Sequence, residues 1–289
     1  MKTFCVFAAA LVFLAGCGSG GGGSVSVAAT EPNAEKATDV WEGVADASRG
    51  SEHPTTCIVT PWAEIRCFND EGQVLFGTGT YDGNGVFSSA VTLADSFEYG
   101  AEGDHDPTAK EDAPAQKPGS GLGQLVCAHT PHKFLDCELM SDADTGAFSS
   151  GRLALLHKDR GPMTHACLIT ELVRADAVTG FWVPKDGIGP AFSIDKLNRL
   201  FGQDPETGCI FTGEVKLYRY DPDDPLALHE VQLVIEACLD SAYQQFNGRK
   251  LNGIAYLDTT RLTHDTLFMA VTVRGSDRYA AIGKGYRRQ

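Results

Sequence analysis

The stretch with the most chemical potential in this 289-residue chain is "CAHTPHKFLDC", Cys127 to Cys137. Two thiols and two imidazoles, Cys127, His129, His132 and Cys137, are the ligand types and number that a tetrahedral zinc ion takes. A second stretch, "CIVTPWAEIRC" from Cys57 to Cys67, repeats the pattern C-x-x-T-P-x-x-x-x-x-C. Each copy is followed by a related segment, "GVFSSAVTL" or "GAFSSGRLAL", so the chain carries an internal duplication. The copies share the cysteine pair, the Thr-Pro and the later G-x-F-S-S, whereas Val59 and Trp62 replace His129 and His132 in the first copy. The cysteines are therefore the constant feature. A proline midway (Pro61, Pro131) fixes φ for a turn, so two short strands fold back and set the cysteines opposite each other. A bridge closing so small a loop is worth about 2–3 kcal/mol on the chain-entropy estimate. The expectation is two disulfide hairpins, no metal, and His129 and His132 as exposed turn residues.

Other catalytic patterns fail on inspection. "HEVQL" begins like a zinc-protease helix, but Leu233 occupies the second histidine position and the segment alternates like a strand. There is no G-x-S-x-G and no phosphate-cradling glycine loop; "GSGLG" lies in a polar, Pro-rich segment. "SDADTG" (Asp142, Asp144, Gly146) and "YDPDDP" (Asp221, Asp223, Asp224) cluster oxygen ligands of the kind calcium takes. An EF-hand would need an acid where Leu153 stands, so both are read as polar hairpin turns. No catalytic residue and no cofactor is assigned.

The start of the chain supplies the redox compartment. Lys2, an apolar run from Phe4 to Leu14 and "LAGC" ending at Cys17 form a secretory signal whose core is too short to span a bilayer. "LAGC" resembles the bacterial lipobox, which implies cleavage before Cys17 and acylation of that residue. Gly18 in place of an aspartate implies, by analogy with other lipoproteins, delivery to the outer membrane. Export places the remaining cysteines where disulfides persist. Without residues 1 to 16 the charge is 23 minus 38, or −15, because Lys2 is the only charge removed. That balance argues against nucleic acid and anionic lipid headgroups as partners.

The elements that must position these groups are strands. Residues 17–39, with "GSGGGGS", are expected to be a flexible tether. Residues 40–174 are expected to form an N-terminal β domain holding the duplication, interrupted near 99–121 by a long polar loop. Alternation at Val91 and Leu93, and at Leu153 and Leu155, marks its strands. Residues 175–289 contain eight strand-like runs separated by turn signals such as "PKDG", "DPETG" and "NGRK". Val231, Leu233 and Ile235 share one face against Gln232 and Glu236; Leu267, Met269, Val271 and Val273 alternate with Phe268, Ala270, Thr272 and Arg274. One dry and one wet face, strand after strand, predicts an antiparallel meander able to close into an eight-stranded barrel. The apolar set is bulky enough to fill it, and Gln232, Glu236, Thr272 and Arg274 are expected to face water.

The run "FSIDKLNRLFGQDPETGCIFTGEV", with Cys238, "FNGRKLNGIAYLD" and "DTLFMAVTV", resembles the C-terminal half of a group of uncharacterised proteobacterial lipoproteins. These carry a lipobox, a Gly-rich tether, a G-C-x-x-x-G strand, a second cysteine and a G-[LI]-A strand. The resemblance implies a small barrel and pairing of Cys209 with Cys238, and the two cysteines do fall on successive strand-like runs. Cys167 is then left over. "GFW", Gly180 to Trp182, is similar over three residues to the G-x-W at the entry of lipocalin-type barrels, with Arg287 or Arg288 as a possible ring partner; the plainer reading of Trp182 is a barrel core residue. The sequence thus predicts an all-β protein of two antiparallel domains: a lipid-anchored envelope protein, non-enzymatic, serving as a structural or protein-binding module. A carrier of a small apolar ligand and an envelope enzyme with an unrecognised site are the rivals.

Overall fold

The computed structural model describes residues 39–47, 51–60, 62–70, 72–82, 85–96, 121–130, 133–141, 151–157, 177–218, 228–258, 266–275 and 279–289. The signal, Cys17, the tether, the loop near 99–121, Pro61, Pro131, His132, Cys167 and the Asp142–Asp144 and Asp221–Asp224 turns lie outside these residues. Among the described residues the chain is all-β. Eight strands, β1 (Asp39–Ala47), β2 (Ser51–Val59), β3 (Glu64–Asn69), β4 (Val74–Tyr81), β5 (Val86–Ser96), β6 (Gly121–Thr130), β7 (Phe134–Ser141) and β8 (Gly151–His157), each pair with the next. Strand β8 returns to β1, so the ring is a closed antiparallel meander. Strands β9 (Gly180–Pro184), β10 (Ala191–Ile194), β11 (Arg199–Gln203), β12 (Ile210–Leu217), β13 (Leu228–Ala237), β14 (Lys250–Leu257), β15 (Thr266–Arg274) and β16 (Tyr279–Arg288) repeat the scheme, with β16 closing onto β9. Closure removes the open strand edges that a meander would otherwise expose.

Eight strands leave an interior just wide enough for side chains to fill. In the second barrel Val231, Leu233, Ile235, Leu267, Met269, Val271 and Val273 all belong to one buried cluster, as the alternation predicts. Trp182, Phe192, Phe211 and Tyr286 join them from the other strands. The β13–β14 connection adds Tyr243, the N-cap of a 3-10 turn at Gln244–Phe246, and Phe246, the last residue of that turn.

The first barrel is filled differently. Its hairpins β2–β3 and β6–β7 stand four strands apart in a ring of eight, so they occupy opposite walls. The pairs Cys57↔Cys67 and Cys127↔Cys137 are directly opposed in register, and all four side chains are buried in one cluster with Trp41, Phe87 and Leu125. Both bridges form, and so does Cys209–Cys238 in the second barrel. The turns between the first two pairs close through Ala63 N–H to the Thr60 carbonyl (2.9 Å) and Lys133 N–H to the Thr130 carbonyl (3.1 Å).

The outer face of β15 departs from the expectation of a wet surface. Ala270 is fully buried with Phe68, Val74, Ala94 and Ala281 in a third cluster, and Thr272 is buried and accepts a hydrogen bond from Arg66 Nη1 at 3.3 Å. The reason is the neighbouring barrel: β16 and β5 pair in parallel at Ala280↔Asp95 and Ala281↔Ser96, bringing the outer walls of the two barrels together. Val40 and Ile58 of the first barrel pack into the core cluster of the second. Only Gln232, Glu236 and Arg274 of the predicted wet set stay at least partly exposed.

Candidate functional site

The sulfurs of Cys127 and Cys137 are bonded to each other and have no thiolate to offer a metal. His129 is not an exposed turn residue. It is buried in the first lumen, its ring edge-on to Trp41 with centroids 5.5 Å apart. The cause is the two-residue period of β6, which puts position 129 on the same face as Cys127. Tyr81 lies beside it with centroids 6.4 Å apart, and burial drives its phenol pKa well above the ordinary value.

Trp182 in the "GFW" run meets Arg288, one of the two arginines named as a possible ring partner. The Arg288 guanidinium lies 4.7 Å from the Trp182 ring centroid, and Arg288 also donates to the Ala177 carbonyl. Trp182 Nε1 donates to the Val178 carbonyl at 2.8 Å, while Gln289 N–H donates to the Phe181 carbonyl at 2.9 Å. The last strand is thus latched onto the segment that leads into the first, at the seam where the barrel closes. This latch serves closure, and Trp182 is a core residue as well.

Among the described residues, inward side chains pack together in both barrels, and a concave feature lies between the barrels. A cleft of about 410 Å³ is lined by Glu42, Pro54, Thr56, Phe68 and Asp70 on the first barrel and Lys185, Asp186, Phe268, Gly283 and Lys284 on the second. This is within the size range of small-ligand sites. The register Glu42↔Thr56↔Phe68 sets these three side chains in one row on the outer face of β1, β2 and β3. The opposing wall is built on Phe268, which pairs with Gly285. Its ring is stacked on Tyr256 at 6.2 Å and lies 6.1 Å from Phe68, giving the cleft an aromatic floor.

Carboxylates stand on both walls, and the lysines on the second. Glu42 and Asp70 belong to the first barrel, and Asp70 Oδ1 lies 3.1 Å from His53 Nδ1. Lys185 belongs to the second, its ammonium 4.8 Å from the Phe268 centroid. Lys284 issues from an inward position of β16, between Ile282 and Tyr286, and is buried. Its Nζ donates to Asp186 Oδ2 at 2.9 Å and to the Ile188 carbonyl at 2.8 Å, which pins the β9–β10 loop to the cleft rim. The barrels are also tied where Trp62 meets Tyr218 edge-on at 4.7 Å. Burial pushes the Tyr218 pKa up to about 12.

No family model matches the chain, and no curated protein matches it. Among solved structures it is similar to a protein of unknown function from the DUF3598 family of Nostoc punctiforme, at 12% identity and TM-score 0.29, over 88% of this chain and 97% of that chain.

An aromatic floor beneath charged walls can hold an amphipathic group. The hydroxyl next in sequence to the His53–Asp70 pair is not arranged as a nucleophile: Thr55 Oγ1 donates to the His53 carbonyl at 2.9 Å. The cleft was not anticipated from the sequence. One signal could have pointed to it: Phe268 and Ala270 alternate with Leu267 and Met269, and a strand apolar on both faces is covered on both faces.

Proposed function

We propose that this protein is a lipid-anchored component of the cell envelope, held at the outer membrane through Cys17, and that it acts as a non-enzymatic protein-binding module through the cleft between its barrels. The observation that carries this reading is a contrast of interiors and exterior. The inward positions of the first barrel hold two disulfides, Trp41 and Phe87, and those of the second hold Trp182, Phe192, Phe211 and Tyr286. An apolar carrier needs a lined lumen of roughly 300 Å³ or more, whereas the cleft among the described residues is outside, at the junction. Anchoring follows from the lipobox-like "LAGC", with two or more acyl chains making attachment effectively permanent.

The test is site-specific photo-crosslinking in the native host, with the crosslinker at Thr56 or Asp70 in the cleft and at Gln232 on the remote wall of the second barrel. The cleft positions are expected to yield one discrete envelope-protein adduct that the Gln232 position does not. Saturable binding of an apolar probe to the purified chain would favour a carrier instead, and turnover of a substrate would favour an enzyme. Metabolic labelling with radioactive fatty acid tests the anchor separately: Cys17→Ala abolishes labelling, and persistent labelling of that variant overturns the assignment.

A further inference from the structure

We infer that Lys284 is a positioning residue of the cleft: its ammonium, issuing from inside the second barrel, latches the β9–β10 connection in the place where that connection forms the cleft rim. The inference rests on the reading of the cleft as the binding site. Lys284 occupies an inward position of β16, opposite Met269 and between Ile282 and Tyr286, all three of them core residues. A methionine or leucine would fill such a position without taking an ammonium out of water, and replacing a buried ion pair by apolar groups of like size is often neutral or stabilising. Stability therefore does not call for a lysine here. What the ammonium touches does.

Its bonds to Asp186 Oδ2 (2.9 Å) and the Ile188 carbonyl (2.8 Å) both fall on the connection, which brings Lys185 and Asp186 to the cleft. Lys185 N–H donates to the Gly285 carbonyl at 2.9 Å, so the β9–β16 ladder fixes the start of the segment. Lys284 fixes its crest. Within the segment, Gly187 N–H donates to the Pro184 carbonyl at 3.1 Å and Ile188 N–H to Asp186 Oδ1 at 3.0 Å, bonds that shape the turn without tying it to the barrel. Gly187 (φ +81°) and Gly189 (φ +96°) flank Ile188 with left-handed backbone, and the Asp186 side chain is 46% exposed. Glycines widen the choice of backbone conformation and exposure leaves little packing to restrict it. The buried lysine makes the selection, and so sets where Lys185 and Asp186 stand in the cleft.

The β10–β11 turn supplies a comparison within the same barrel. There Leu197 N–H donates to Asp195 Oδ1 at 2.8 Å and Asn198 N–H to the Asp195 carbonyl at 2.9 Å, the same two kinds of internal bond. Asp195, however, is gripped by the exposed Arg199 and not by a buried cation.

The experiment is hydrogen–deuterium exchange of the full chain, read together with crosslinking from Thr56 in the native host. In the wild type, residues 186–189 are expected to be protected about tenfold more than residues 196–198. Lys284→Met should erase that difference while β13 and β14 exchange as before, and should cut the Thr56 adduct about fivefold or more, the cost of ordering the rim on binding. Lys185→Met, which removes the other cleft ammonium, should leave the exchange of residues 186–189 unchanged. Equal protection of the two turns in the wild type overturns the inference without any variant, and so decides it even if Lys284→Met does not fold. Exchange indifferent to Lys284→Met, equal acceleration by Lys185→Met, or faster exchange with an undiminished adduct would each overturn it too. Absence of the adduct from the wild type, with the latch intact by exchange, would instead count against the cleft as a binding site.

Discussion

Gly283 tests whether the two barrels are held in one fixed arrangement. It lies on the outer face of β16, where an added Cβ would sit 2.5 Å from the Phe68 Cβ and 2.6 Å from Val74 Cγ2. Carbon atoms prefer about 3.5–4.0 Å, so the shortfall is roughly 1 Å. The Phe68 Cβ is fixed to the backbone of β3 and cannot swing aside; relief requires β3 and β16 to separate. Gly283→Ala is therefore expected to cost about 1–3 kcal/mol as overpacking, less about 0.4–1 kcal/mol returned through the unfolded chain. In a protein of this size that lowers the melting temperature by about 2–4 °C per kcal/mol. Gly283→Val should cost more. Gly285→Ala is the control, since its nearest neighbours are a ring edge of Phe268 at 3.2 Å and Lys185 Cδ at 3.3 Å, both on movable side chains. Thermal and urea melts of the three variants give the answer. A Gly283→Ala protein that melts with the wild type, or a Gly285→Ala protein destabilised as much, would refute the packing argument.

Four further outcomes are expected. Opening Cys209–Cys238, of sequence separation 29, should cost about 3.6 kcal/mol and opening either bridge of separation 10 about 2.7 kcal/mol; urea midpoints of paired Cys→Ala variants check the order. Asp186→Asn should destabilise more than Lys284→Met, because it strips the carboxylate from a buried ammonium, whereas the converse leaves a half-exposed Asp186 in water; chemical denaturation separates the two. Burial raises the Tyr218 pKa above its unfolded value, so the stability tied to its neutral form is complete below about pH 10 and disappears as pH climbs to about 12; Tyr218→Phe should flatten that part of the stability profile. The hydrogen bond from Arg152 holds the Asp136 carboxyl below the usual carboxylate range. Its contribution should be present above pH 4 and fade as pH falls below that, so wild type and Asp136→Asn should converge in acid melts.

The second barrel was legible because its strands alternate cleanly and its turns carry Gly, Pro and Asp; the eight runs read from the sequence coincide with β9–β16. The hairpins of the first barrel were legible through the duplication, which isolated the cysteines from the histidines. His129 is buried rather than in an exposed turn because the two-residue period from Cys127 puts it on the inward face of β6. The latch between Trp182 and Arg288 was visible as residue types, yet which arginine meets the ring depends on the β16–β9 register at Arg288↔Trp182. The cleft was hidden for a stronger reason. Its walls, Glu42 to Asp70 and Lys185 to Gly285, are brought together by a parallel pairing between β5 and β16, and no local pattern encodes a contact across so long a stretch of chain. Outward-facing Phe68 and Phe268 acquire their role only once the barrels meet.

The central claim is that both lumens are occupied by the protein's own side chains, leaving binding to the outside. Native mass spectrometry of protein purified from its own host measures this most directly. The account predicts the mass of the acylated chain with three disulfides and no stoichiometric small molecule, unchanged when the protein is denatured. A ligand present at one equivalent and released on unfolding would contradict it.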